Sequence, residues 1–152
     1  MSIFNQAVES VHKRGFHSAV PSIHFHNVRL MAQLARLAEE IGEWSESGGN
    51  VSELADVVIV VAQVAWLLQV DLHESTFDVP TSQTANLSEM LGTLTRGLRK
   101  NDATMIAMSL NCLVADCVLL ARENGVPDLK FVIQAKLIAD EKRGYLHGAR
   151  LN

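Results

Sequence analysis

A chain of 152 residues, 48% of them apolar, is one domain's worth and can bury a real core; five per cent aromatic residues and three prolines among long Ala, Leu and Val runs predict an all-α protein. The formal net charge of −4 argues against a nucleic-acid partner. Met1 to Arg14 is polar and mixed rather than a leader, and the most apolar stretch, Leu54 to Val70, is broken by Asp56, Gln63 and Gln69, so the expectation is a soluble cytoplasmic protein with no membrane partner.

The first predicted helix runs from about Ser2 to Lys13 and stops near Gly15. Its Glu9-x-x-His12 matches half of a di-iron pattern, but no second copy exists in the chain, which argues against ferritin-like chemistry. After an irregular stretch through Pro21, a long helix is predicted from His24 to Glu46. Val28, Met31, Leu34, Ala35, Ala38 and Ile41 recur at helical spacing and form its expected buried stripe. His24 and His26 point apart on a helix and have no ligand at zinc spacing, so they read as structural or surface residues.

Ser45 to Asn50 is short enough to fold the next helix back antiparallel, with Gly as the stop and Asn50 as the cap. That third helix is expected over Val51 to Val70. Asp71 to Ala85 reads as a loop through Pro80, and three more helices follow, about Asn86–Arg99, Ala103–Asn124 and Asp128–Tyr145, broken at Asn101-Asp102 and Gly125-Val126-Pro127. Cys112 and Cys117, i,i+5 in one apolar run, read as reduced, buried thiols. Leu54 to Val58 is echoed by Val114 to Val118, a thin hint of duplication with no second acidic cluster.

The informative feature is acidic. Glu39, Glu40 and Glu43, then Glu53 and Asp56 across the turn, put carboxylates on facing sides of two apolar helices. Two like charges ~4 Å apart repel by about 4 kcal/mol at an effective dielectric of 20, so such a cluster takes up protons or a cation. A donor set of carboxylates without His or Cys suits Mg²⁺. Blander readings exist for the parts. Arg36 can pair with Glu39 or Glu40 on a solvated face, and Glu53 sits at N3 of a capping-box-like start. Asp56 is harder to dismiss, because its neighbours Leu54, Ala55 and Val57 to Val61 are all apolar. Asp116 has the same setting without companion acids; it reads as structural, paired with a basic residue, or else as reaching the site from a neighbouring helix.

Two further features are less decisive. Trp44 follows Glu43 directly and reads either as a core residue or as a stacking surface for a base near the metal. Lys136, Asp140 and Arg143 share a stripe, followed by Tyr145; the local alternative pairs Lys136 with Asp140, while cations on one stripe also suit a polyphosphate.

The paired acids Glu39-Glu40-x-x-Glu43 and Glu53-x-x-Asp56, with the apolar lead-in Leu30 to Leu37, resemble the MazG-like, all-α nucleoside triphosphate pyrophosphohydrolases, a superfamily that includes dimeric dUTPases and phosphoribosyl-ATP pyrophosphohydrolases. The resemblance covers about residues 27 to 72, and Lys136 to Tyr145 more loosely, where Asp140 stands at a position the family usually gives to Asn. It implies a single domain over residues 1–152, a four-helix-bundle core with additional helices, and a homodimer or homotetramer. It also implies Mg²⁺-dependent cleavage between the α and β phosphates of a nucleotide, with Mn²⁺ able to substitute and two or three ions per site.

On the matching positions, Glu40, Glu43, Glu53 and Asp56 would hold metal. Glu39, with Glu40, would serve catalysis by sharing a metal or activating water. Lys136, Arg143 and Tyr145 would steady the outer phosphates, and Asp140 would touch sugar or metal. Asn27, Gln33 and Trp44, with His26 and Phe25, are candidates for the base. The expected substrate is a deoxynucleoside triphosphate, dGTP ahead of dUTP. Competing readings are a non-enzymatic helical interaction module with a structural cation, and a pyrophosphohydrolase of phosphoribosyl-ATP-like substrates.

Overall fold

The computed structural model describes residues 2–13, 23–78, 84–142, 145–146 and 149–150. These form six α-helices: α1 (Ile3–Lys13), α2 (Ile23–Glu46), α3 (Val51–Leu67), α4 (Leu87–Lys100), α5 (Ala103–Glu123) and α6 (Leu129–Lys142). A 3-10 helix (Glu74–Asp78) and a two-residue antiparallel hairpin, β1 (Tyr145–Leu146) with β2 (Ala149–Arg150), complete the set.

α3 is the axis. Leu54, Ala55 and the run Val57 to Ala65 are buried on every side, as an all-round apolar helix requires, and α1, α2, α5 and α6 pack around it. α4 packs chiefly on α5. Short polar side chains set the helix starts: Asn50 accepts from the Ser52 N–H, Asn86 from Glu89 and Asp102 from Met105. The α2–α3 turn needs glycine twice, since Gly48 and Gly49 sit at φ +69° and +99°. A β-carbon on Gly49 would also lie 2.5 Å from Asn124 Oδ1, at the far end of α5.

Four expectations change. α3 ends at Leu67 rather than Val70, because Gln69 turns left-handed (φ 56°) and the Val70 N–H closes back onto the Ala65 carbonyl at 2.8 Å. The loop after it holds the 3-10 turn, whose Phe77 stacks on Phe4 with ring centroids 5.6 Å apart. Its Glu74 accepts from the Ile3 N–H at 2.8 Å and pairs with Lys130, tying α1, the turn and α6 together. The last helix stops at Lys142, with Tyr145 already in the hairpin.

The fourth change concerns α2. The row turned to the core is Leu30, Gln33, Leu37, Ile41 and Trp44, whereas Val28 (50% exposed), Met31 (70%), Ala35 and Ala38 face outward. Both rows satisfy a 3.6-residue period, and packing against α3 selects the one with the large aliphatics nearest the acid turn. α6 likewise leaves Phe131, Ala135 and Ile138 exposed at i, i+4 and i+7. Among the described helices, α5 alone is long and apolar enough to cross a membrane, and 56% of that window is buried within the domain.

A candidate carboxylate cation site

The antiparallel turn brings the end of α2 against the start of α3. One carboxylate oxygen from each of Glu40, Glu43 and Glu53 lies within 4.8 Å of the others. Glu40 is the inner member. Its side chain is 12% exposed, and its Oε2 is buried without a hydrogen-bond partner. Burial, then the nearby Asp56 and Glu43 charges, raise the Glu40 carboxyl to about 7, against a smaller opposing pull from Arg36. Arg36 Nε stands 3.7 Å from Glu40 Oε1, one helical turn away.

Asp56 sits one turn inward on α3. Its Oδ2 receives Lys136 Nζ of α6 at 2.5 Å, and the same ammonium donates to Ser52 Oγ at 3.1 Å. Both side chains are about one-fifth exposed. Burial raises the Asp56 carboxyl, the Lys136 hydrogen bond and charge draw it down, and Asp140 raises it again. Buried Asp140 therefore belongs to the electrostatic neighbourhood of Asp56.

The expected residues thus fall into groups. Glu40, Glu43 and Glu53 converge. Asp56 and Lys136 adjoin them but hold each other, a pairing that neither the phosphate role nor the local alternative with Asp140 anticipates. Glu39 is exposed outside the converging set, although it neighbours Glu40 in sequence. Gln33 is buried in the core-facing row of α2, Trp44 packs half-buried against the core, and Asn27 is exposed. Arg143 and the side chains of Tyr145, Phe25 and His26 lie outside the described residues.

Asp116 has an ordinary explanation. Its Oδ2 accepts the Asn86 N–H at 3.1 Å at the entrance to α4, which is the structural role with a backbone donor in place of a basic side chain. Likewise Glu9 is exposed, while His12 packs edge-on to Trp66 with centroids 4.6 Å apart.

Ser52 was not among the expected site residues. Its signal was nonetheless present, because it lies four residues before Asp56 on the same helical face.

The donor set suits a hard divalent cation. Neighbouring oxygens bound to one Mg²⁺ at about 2.0–2.1 Å stand roughly 2.9 Å apart, so pairs among the three carboxylates need to close by up to about 2 Å, within the reach of Glu side-chain rotation. The orphaned Glu40 oxygen is what such a cation would satisfy. Neither of the two defined cavities lies here. One, of about 780 Å³, is formed by α1, the end of α3 and the following turn, and the other, of about 410 Å³, lies between α1 and α6.

No family model, curated protein or solved structure matches this chain.

Proposed function

We propose that this chain is a Mg²⁺-dependent nucleoside triphosphate pyrophosphohydrolase, of the MazG-like bundle type that its acidic pattern resembles. The reading has it release pyrophosphate from a deoxynucleoside triphosphate, dGTP before dUTP, and act in the cytoplasm on the nucleotide pool. One observation carries it: Glu40, Glu43 and Glu53 converge across a short turn, with a buried, unpartnered oxygen on Glu40 and a lysine on the adjoining helix.

Divalent ions held there would lower the pKa of a bound water and neutralise charge on the leaving pyrophosphate. The chain's own groups supply the rest. Glu40, Glu43 and Glu53 would hold the ions that the reacting phosphate meets, and Glu39, at the exposed rim beside them, orients and deprotonates the attacking water. Arg36 and Lys136 bring positive charge to the phosphates from α2 and α6, with Arg143 and Tyr145 as further candidates beyond Lys136. Asp140 touches sugar or metal, and Asn27, Gln33 and Trp44 are the candidates for reading the base.

A homodimer or homotetramer belongs to the same proposal. The exposed rows on α2 and α6, which include Val28, Met31, Phe131 and Ile138, support it, since a self-association would cover them.

The test is pyrophosphate release from each of the eight common NTPs and dNTPs with Mg²⁺ or Mn²⁺, against an EDTA blank. The expected outcome is metal-dependent release with one preferred nucleotide, lost in the Glu39→Gln, Glu40→Gln double variant while its melting temperature holds. If that variant instead loses thermal stability and the wild type is silent on the panel, the structural-cation module is the better reading.

A further inference from the structure

We infer that the Lys136 ammonium is a resident second cation of this site, so that the nucleotide-free chain takes one divalent ion, at Glu40, Glu43 and Glu53, while Asp56 is already occupied. The inference rests on the metal reading above and departs from the two or three ions that the sequence resemblance implies.

Among the described residues, Asp56 alone of the five acids has its carboxylate held by an ammonium, and the hold is double: Nζ lies 2.5 Å from Asp56 Oδ2 and 3.1 Å from Ser52 Oγ. These acceptors are one turn apart on the same face of α3, so the helix presents them together. A divalent ion on that oxygen of Asp56 would stand within a few ångströms of the ammonium, and the two like charges would compete for it.

The three converging acids are differently placed. Glu43 and Glu53 have no ion pair among the described residues, and Glu40 has only Arg36, at 3.7 Å and on the oxygen opposite its orphaned one. A first divalent ion therefore meets three carboxylates that no ammonium holds among the described residues. A second would have to expel Lys136 from Asp56 and Ser52. The nearby Asp140 adds negative charge that holds the ammonium in place. On this reading Lys136 sets how many ions the site accepts before substrate arrives, in addition to its proposed contact with phosphate.

Mn²⁺ binding to the nucleotide-free protein, counted by calorimetry and by electron paramagnetic resonance, tests this without any turnover. The wild type is expected to take one ion per chain. Lys136→Met frees Asp56 and should add a second ion, or tighten binding at least tenfold, while the Lys136→Met, Asp56→Asn pair should return to one. Two or more ions on the wild type would overturn the inference while leaving the metal reading intact, as would a folded Lys136→Met protein that binds as the wild type does. No ion at all on the wild type would overturn both, and the wild-type count needs no variant to fold.

Discussion

Asp56 and Asp116 occupy similar places in two apolar helices that pack against each other, yet they are stabilised in opposite ways. Asp56 of α3 meets an ammonium and the charge of Asp140 from α6, with Glu40 of α2 close by. Asp116 of α5 meets a backbone N–H and stands beside Cys112 and Cys117, whose thiols burial holds high. An acid in an apolar run is therefore not a site by itself. What separates the two positions is company: the turn after α2 delivers Glu40, Glu43 and Glu53 to one region, and among the described residues nothing comparable reaches α5.

The largest effect that would sharpen this contrast is on catalysis. Glu43→Gln should lower metal-dependent pyrophosphate release by at least about a hundredfold, as removal of a metal-holding charge does, while Asp116→Asn should leave the rate within about twofold. Equal losses in steady-state assays would erase the distinction between the two regions.

Stability separates them next. Asp56→Asn strips Lys136 of its counter-ion in a half-buried setting and should cost about 1–2 kcal/mol, whereas Asp116→Asn keeps an acceptor for the Asn86 N–H and should cost less than about 0.5 kcal/mol. Urea melts at pH 7 without metal read both.

The turn that makes the difference can be attacked directly. Gly49→Ala combines an unfavourable positive φ with a collision on Asn124 and should cost about 1–3 kcal/mol. Adding Asn124→Ala should recover the collision and leave the backbone strain.

The smallest effect is a pH slope. Glu40 has its folded value near 7 against an ordinary 4.5, so between those values the folded chain holds a proton that the unfolded chain has released. Its stabilising effect is complete below about pH 4.5 and is lost as pH rises through 7, a decline of about 1–2 kcal/mol in metal-free protein. Glu40→Gln should flatten that slope in melts from pH 4.5 to 8. Mg²⁺ should oppose it in the wild type, because cation binding expels the proton.

What could be read from the sequence was mostly local. Asn50, Asn86 and Asp102 cap where their side chains and neighbours indicate, and the short Gly-containing turn foretells that α2 and α3 run back to back. The facing of α2 was not legible, since its lead-in is apolar on two rows and only the position of α3 decides which is covered. Nor was the partner of Lys136. Asp140 is four residues away and satisfies the helical rule, while Asp56 is eighty positions distant and becomes adjacent only through the packing of α6 on α3. Spacing rules report on one helix at a time. The three converging acids were legible because one tight turn joins the helices that carry them.

Gly49 and Asn124 touch where the α2–α3 turn meets the last residue before the α5–α6 junction. α6 begins five residues later and carries Lys136 back to Asp56. The two walls of the site, acids on one side and ammonium on the other, are thus hinged at a common corner. A disturbance at Asn124, remote in sequence from every acid of the site, should change the gap between the walls as a pivot changes the opening of a pair of tongs.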